Sequence, residues 1–375
     1  MKTTKLMSEA FGLSEDGTVV GESPRARRQA VRDNPRRRQA AMEARRMLEA
    51  AWAGDKRATM LVNEAITTSD LFRDAVGQVM DVEMVQAYQT VTPQWDRIAK
   101  RTTVRNFKAK TLRSLVGTSY SLPRVPEHTP YPVAPGIGRE DATIKVGKFG
   151  ERYGYTLEAR LADDIDELQE TPRQWADIAR RTEDDAVLEL LANPITGAPN
   201  TAVFTAGKLG TGRLDPTNLK AALDKAVVQR DASGRLLVAP AMQLVVGPAL
   251  QFTAQALLDA TEHEVILSDG TKVRQPNPFR GRVTLTIMPN LPGTAWFLLP
   301  VPTAPRPAFY AGFLAGYETP DLRQKADQGQ APGGGAIGAE QGSFDDDTIW
   351  FRCRHIVGAA KGDTTFAYAS DGQGA

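Results

Sequence analysis

The chain has 375 residues, 41% of them hydrophobic and 24% charged, which suits a globular protein with more than one apolar core. A single cysteine excludes an internal disulfide framework, and no apolar run is long enough to cross a bilayer. The beginning, MKTTKLMSEAFG, lacks the apolar core of a signal peptide, so we expect synthesis in a reducing cytoplasm.

The first sixty residues are basic, whereas the net charge of the whole chain is only +1. They hold thirteen Lys and Arg against eight Asp and Glu, concentrated in SPRARRQAVRDNPRRRQAAMEARR. Helices are predicted at about 39–53 and from Ser69 or Asp70 onward. Such an arm suits contact with nucleic acid, with an acidic partner or with water alone, and the pattern leaves all three open. Its main cations are Arg25, Arg27, Arg28, Arg36, Arg37 and Arg38.

A long hairpin is predicted next. The runs VRNFKAKTL and ATIKVGKF alternate apolar and polar residues, as half-exposed strands do. Between them lies PRVPEHTPYPVAPGIG, Pro123–Gly138, in which five prolines exclude helix interior and central strand. The sequence therefore predicts two strands joined by a long tip that proline stiffens.

One strong helix follows the hairpin. Thr171-Pro172-Arg173-Gln174 has the pattern of a capping box with proline at the first helical position. The predicted helix ends at Leu191, before Asn193-Pro194. Its expected core face is Trp175, Ile178, Thr182, Ala186 and Leu190, and its expected charged face is Arg180, Arg181, Glu183, Asp184 and Asp185.

The rest of the chain predicts a mixed α/β region and two terminal strands. Asp215-Pro216 begins one helix and Gly247-Pro248 opens another, while MQLVVG, RVTLTIMP and TAWFLLP are strands. The segment from Asp321 to Asp347 is rich in glycine and predicts a linker or surface loop. TIWFRCRHIVGAAKG and TTFAYA are the last strands.

No motif of catalysis is present. His128, His263 and His355 are widely separated, and one cysteine is too few for a usual zinc site. GKLGTG departs from a phosphate-binding loop because Arg213 and Leu214 follow its last glycine. Cys353 lies in a strand-like run and is expected to be buried. The sequence therefore predicts no catalytic residue, no cofactor and no metal, although residues distant in sequence can still form a triad.

The order of these parts resembles the major capsid proteins of tailed phages, in particular the Mu-like major head subunit family. The resemblance rests on YQTVTPQWDRIAKRTTVRNFK, the hairpin, FGERYGYTLEARLADDIDELQETPRQWADIARRTEDDAVLELLANP, NPFRGRVTLTIMPNL and TAWFLLP. It covers the chain from about Leu71 to its C-terminus. The first sixty residues have no counterpart in the family's pattern.

The resemblance implies an α+β fold of the Hong Kong 97-like (Johnson) type. Its parts would be an N-terminal arm and helical extension (1–103), an extended E-loop (104–149), a peripheral domain with the spine helix (150–204 with 340–375), and an axial domain (205–339). An isolated two-stranded ribbon is marginal in water, so the E-loop is expected to lie across a neighbouring subunit. The expected contact residues are Leu122, Val125, Tyr131, Val133 and Ile137.

The function implied is that of a virion shell protein rather than an enzyme. Its partners would be further copies of itself in hexamers and pentamers, packaged double-stranded DNA bound without sequence specificity, and scaffolding, portal and decoration proteins. The arginine-rich arm would face the lumen. The alternatives are an encapsulin-like shell around a cellular cargo and a DNA-binding protein that uses the arm, although the second leaves the hairpin unexplained.

Overall fold

The structure is a computed structural model with six α-helices among its described residues. It describes residues 23–58, 61–62, 70–116, 124–131, 138–156, 158, 166–205, 207–230, 236–266, 272–325, 329–330, 336–337 and 348–374. The helices are α1 (Pro24–Asp33), α2 (Pro35–Trp52), α3 (Asp70–Thr90), α4 (Asp166–Leu191), α5 (Pro216–Val227) and α6 (Gln251–Asp259).

Sixteen strands lie between and after these helices within the same described residues. They are β1 (Ala99–Val104), β2 (Lys110–Val116), β3 (Gly138–Ile144), β4 (Gly147–Tyr155), β5 (Leu209–Gly212), β6 (Met242–Val246), β7 (Glu262–Ile266), β8 (Lys272–Pro276), β9 (Val283–Ile287), β10 (Trp296–Pro300), β11 (Phe309–Leu314), β12 (Asp321–Gln324), β13 (Gly329–Gln330), β14 (Ala336–Ile337), β15 (Ile349–Lys361) and β16 (Tyr368–Gly374). The chain forms two compact units. Unit 1 comprises the described residues of 1–92, 147–182 and 313–357, and unit 2 those of 93–146, 183–312 and 358–375.

Unit 1 packs helices on one face of a sheet. In the sheet, β15 pairs antiparallel with β12 on one side and with β4 on the other. Alternate residues of β15 are buried, as the two-residue period of a strand requires. The apolar core joins that face to α2, α3 and the first part of α4, and includes Leu48, Met80, Met84, Tyr155, Trp175, Leu322, Ile349, Phe351 and Cys353.

Unit 2 has its core around a five-stranded sheet in the order β5-β16-β10-β6-β9. The central strands β6 and β10 are buried at every residue, and β9 runs parallel to β6. Helices α5 and α6 pack on the sheet through an apolar cluster that contains Leu219, Ala254 and Trp296. The side chain of Asp215 accepts a hydrogen bond from the Asn218 backbone N–H (2.7 Å) and so caps α5, as the sequence predicts.

The predicted start of the long helix is wrong. Helix α4 begins at Asp166, so Pro172 lies inside it rather than at its first position. Proline has no N–H and therefore removes one helical hydrogen bond. Pro172 and Trp175 are both buried, so packing of this turn offsets the loss. The predicted end at Leu191 is confirmed.

The predicted core face of α4 is also wrong, apart from Trp175. Ile178 is 43% exposed, and Thr182 and Leu190 are only half-buried. The buried positions are Trp175, Ala176, Ala179, Glu183, Asp184, Val187, Leu188 and Leu191. The face is therefore displaced around the helix by about one residue from the prediction, and it includes two residues that had been assigned to the charged face.

Glu183 and Asp184 are buried because each carboxylate has donors from the segment before β1. Glu183 Oε2 accepts the indole N–H of Trp95 at 2.8 Å. Asp184 Oδ1 accepts the backbone N–H groups of Gln94 and Trp95 at 2.8 and 2.9 Å. Burial raises the pKa of Asp184 to about 6, although the two backbone donors oppose the rise.

The predicted strands of the C-terminal half are confirmed in part. The strands MQLVVG, RVTLTIMP and TAWFLLP correspond to β6, β9 and β10, and both terminal strands are present. The expected linker instead begins with a strand, because Asp321–Gln324 forms β12 against β15. The sequence reading did not predict β11 or the hairpin of β7 and β8.

Candidate functional site

A two-stranded ribbon occupies the place of the predicted hairpin. Strands β2 and β3 pair antiparallel over seven positions, from Lys110↔Ile144 at the base to Val116↔Gly138 at the far end. A strand of this length spans about 23 Å at about 3.3 Å per residue. Within the described structure, neither strand pairs with a third strand. The ribbon therefore has two open edges.

The base of the ribbon is fixed in unit 2. Ile144 is fully buried and Val104 of β1 nearly so. Gly312 in β11 makes room for both, because an added Cβ there would lie 2.5 Å from Ile144 Cδ1 and 3.5 Å from Val104 Cγ2. Lys110 Nζ also donates a hydrogen bond to the Thr103 carbonyl (2.6 Å). The ribbon thus extends from a base that is packed in the core of unit 2. The sequence analysis did not predict this anchor, although Ile144 and Val146 alternate with lysines.

The tip is described only from residue 124 to residue 131. Tyr131 is 86% exposed, the largest exposure of any large hydrophobic side chain in the described residues. Val125 is half-buried, and His128 has a positive φ of 61°. The other three expected contact residues, Leu122, Val133 and Ile137, lie outside the described residues. Tyr131 has the open aromatic ring that a neighbouring subunit could cover, and the contact role of the set stays a prediction.

The arginines of the N-terminal arm differ in their surroundings. Arg25 is exposed on α1. Arg28 on the same helix donates to both oxygens of Asp81, to Thr319 Oγ1 (2.6 Å) and to the Pro320 carbonyl (2.8 Å). The Arg28 charge therefore stabilises unit 1. The side chains of Arg27, Arg36, Arg37 and Arg38 lie outside the described structure, and a lumen-facing arm stays a prediction.

A cleft of about 500 Å³ lies beside the base of the ribbon in unit 2. Leu112 and Ala142 of the ribbon line one side, and Lys208, Arg306 and Tyr310 line others. Its cations are held by the protein itself: Lys208 Nζ donates to the Thr364 carbonyl at 2.8 Å, and Arg306 is 3.2 Å from Asp363. Burial and the negative charge of Asp363 raise the pKa of Tyr310.

The described residues contain no group of three His, Cys, Asp or Glu side chains that could hold a metal ion. Cys353 is buried as expected, and burial raises the pKa of its thiol to about 12. A thiol with so high a pKa is a poor nucleophile near neutral pH. None of the described helices is both long and apolar enough to span a bilayer.

Comparison with protein families identifies the chain. The model of a family described as phage capsid protein matches residues 139–370, more than half of the sequence. The chain belongs to this family. The match begins in β3 of the ribbon and ends in β16, so it includes most of unit 2 and, in unit 1, residues 147–182 and 313–357.

Solved structures of several shell proteins are similar to this capsid protein at low identity. A virus-like particle from Pyrococcus furiosus is 8% identical, with 78% of this chain and 98% of that one covered at a TM-score of 0.40. The holo-SrpI encapsulin complex from Synechococcus elongatus is 13% identical (76% and 89% covered, TM-score 0.42). The capsid of cyanophage P-SCSP1u is 12% identical (74% and 88%, TM-score 0.44). No curated protein matches significantly.

The fold class expected from the sequence is confirmed by the mixed architecture and the family membership: it is the α+β capsid fold of the Hong Kong 97-like (Johnson) type. The chain is a capsid shell protein and thus a component of the virion. TM-scores below 0.5 are too low to transfer a residue's role from the solved structures. The division into arm, E-loop, peripheral and axial domains stays a prediction.

Proposed function

We propose that this capsid protein is the major head subunit of a tailed phage or prophage, of the Mu-like type, with a structural and non-enzymatic role. It assembles in the host cytoplasm as hexamers and pentamers into an icosahedral shell around double-stranded DNA. Scaffolding, portal and decoration proteins would be its further partners. The observation that carries the proposal is the ribbon: it is anchored in unit 2 at Ile144, yet both its edges are open and Tyr131 at its tip is exposed.

The ribbon acts in this proposal as a clasp between subunits. Its backbone donors and acceptors on both edges, and the ring of Tyr131, gain partners from another copy. Burial of apolar area there stabilises the contact by about 25 cal/mol per Å². Because each subunit of a shell repeats the contact, a small loss per copy is multiplied over the shell. An encapsulin-like shell with a cellular cargo remains the second candidate, and the nucleic acid content of purified particles distinguishes the two.

The test removes the tip and keeps the anchor. Because Val116 pairs with Gly138, residues 117–137 can be replaced by Asn-Gly, which closes a two-residue hairpin in register. We expect a folded subunit, by circular dichroism and thermal melting, that forms no stable shell by electron microscopy. Tyr131→Ala, which keeps the tip, is the graded control and should assemble with lower yield. Normal shells from the shortened chain would refute the clasp.

A second experiment concerns the arm. If the arm with Arg25 and its neighbours faces the lumen, trypsin should cleave it in dissociated subunits and leave it intact in closed shells. Contact with DNA would be independent of sequence and would weaken as salt rises. Rapid cleavage within residues 25–46 while shells stay closed would place the arm outside.

A further inference from the structure

Three arginines form a row across the sheet of unit 1. In the register of the strands, Arg152 of β4 lies opposite Arg352 of β15, and Arg352 lies opposite Arg323 of β12. Directly opposed residues of neighbouring strands point to the same face of a sheet. Neighbouring strands are about 4.8 Å apart, so the row brings three positive charges within about 10 Å.

The row faces away from the helices of unit 1. The residues of β15 on either side of Arg352, Phe351 and Cys353, are buried in the core against α2, α3 and α4. Because side chains alternate along a strand, Arg352 lies on the opposite face, and both Arg152 and Arg352 are exposed. The arm helix α1 belongs to the helical side, since Arg28 binds Asp81 of α3.

Like charges placed directly opposite each other destabilise a sheet, so the row needs compensation. Arg323 is 3.0 Å from Asp321, and the guanidinium of Arg152 lies 4.6 Å from the centre of the Trp350 ring. Asp321 is shared, because Arg354 binds it at 2.8 Å. For Arg352, at the centre of the row, the described residues provide neither an ion pair nor a hydrogen bond.

An open cavity adjoins the unpaired arginine. It has a volume of about 300 Å³. Four cations line it, Lys148, Arg152, Arg352 and Arg354, with Glu151 as the single carboxylate. A guanidinium binds a carboxylate through two parallel hydrogen bonds, so this lining suits an anionic group with several oxygens.

We propose that the face of Arg152, Arg352 and Arg323 is a docking site for an acidic segment of a second copy of this chain. This inference rests on the proposed function of shell assembly. Charge complementarity supports it, because the sequence itself contains two acidic runs, Asp163-Asp164-Ile165-Asp166-Glu167 and Asp345-Asp346-Asp347. DNA is the less favoured occupant, because the arm proposed to face the lumen lies on the helical side of the same unit. An intersubunit carboxylate relieves the repulsion within the row and gives the contact a defined register.

The experiment couples the site chemically to its occupant. Arg352→Lys keeps the charge and introduces an amine, which a water-soluble carbodiimide joins to a carboxylate within contact distance. We expect assembled shells of the variant to give a new crosslinked dimer whose peptides, by mass spectrometry, join residue 352 to an Asp or Glu of another chain. Wild-type shells and Arg280→Lys, an exposed position in unit 2, control for native lysines and for any new amine.

A charge-removal variant tests the energetic role. Arg352→Gln should assemble only at a protein concentration at least tenfold higher than wild type, and the difference should shrink as salt screens the contact. Circular dichroism confirms that the subunit folds. The inference is overturned if residue 352 couples only within its own chain, or if Arg352→Gln assembles like wild type at every salt concentration. If Arg352→Gln formed normal shells that contained no DNA, the row would be assigned to DNA binding, and this too would overturn the inference.

These outcomes are separable from failure of the proposed function. If the wild-type chain forms no closed assembly, the shell proposal fails, and the docking site loses its occupant. If wild-type shells form and Arg352→Lys yields no crosslink between chains, only the docking site fails.

Discussion

The central strands of unit 2 and the ribbon of the same unit have opposite relations to solvent. Every residue of β6 and β10 is buried, and each strand has a hydrogen-bonded neighbour on both sides. Of the ribbon residues whose side chains the structure describes, Lys110, Thr111 and Thr143 are exposed, and only Ile144 at the base is buried. The comparison separates two tasks: β6 and β10 stabilise the subunit itself, whereas the ribbon, in our proposal, binds another chain through its open edges.

The largest expected effect lies on the buried side of this comparison. Trp296 in β10 is fully buried and donates its indole N–H to the Gly212 carbonyl at 3.0 Å. Trp296→Ala should lower the free energy of unfolding by about 3 to 5 kcal/mol, because it leaves a cavity and removes one of the hydrogen bonds to the Gly212 carbonyl. The matched change Tyr131→Ala should stay within about 0.5 kcal/mol. Chemical denaturation measures both, and equal effects would invalidate the division of tasks.

Unit 1 offers a second contrast, between two arginines of one helix. Arg28→Ala removes the guanidinium from Asp81, whose side chain is only 6% exposed, and so leaves a buried carboxylate without its main counter-charge. We expect a loss on the order of 3 kcal/mol. Arg25→Ala, an exposed position on the same helix, should change stability by less than about 0.5 kcal/mol. Thermal melts that rank the two variants equally would contradict a stabilising role for Arg28.

The two arginines also show which structural features a sequence pattern can predict. The sequence correctly placed most of the helices and about half of the strands, because apolar periodicity and capping residues are local signals. It also predicted a paired ribbon from alternation, although residues 105–109 of the predicted first strand VRNFKAKTL are not in a strand. It treated the arm arginines as one group, because the partners of Arg28 are 53 residues away at Asp81 and 292 away at Pro320. Long-range pairing of this kind leaves no periodic trace.

The prediction of the buried face of α4 was wrong for a related reason. Hydrophobic periodicity assigns charged residues to solvent, so Glu183 and Asp184 were placed outside and Ile178 inside. The N–H groups of Gln94 and Trp95 satisfy the two carboxylates and permit their burial. The arginine row was missed as well, because it exists only in the register of three strands that are distant in sequence.

Asp184 makes the buried carboxylates testable by pH. Its pKa is about 6 in the folded chain against 3.8 ordinarily, so between these values the folded state binds the proton more strongly than the unfolded state. The contribution of Asp184 to the free energy of unfolding therefore rises as pH falls from about 7 to 4. Asp184→Asn removes this dependence, so its stability relative to wild type should increase with pH across that window. Asp177→Asn, exposed on the same helix, controls for the loss of one charge.

The smallest expected effect concerns Cys353. Its thiol lies on the buried face of the sheet of unit 1, opposite the arginine row, so its reactivity measures whether that sheet stays intact. Burial, with the nearby charges of Glu151, Asp321 and Asp81, raises the pKa of the thiol to about 12. At pH 8 only about one thiol in ten thousand is then ionised, and the thiolate is the reactive form. We expect iodoacetamide to modify native protein far more slowly than unfolded protein, and no other cysteine confuses the signal. Because Cys353 and Arg352 are adjacent on β15 and face opposite ways, Arg352→Gln should leave this slow rate unchanged. Faster alkylation in that variant would show that Arg352 stabilises the sheet of unit 1, and its role would then be in folding rather than in docking.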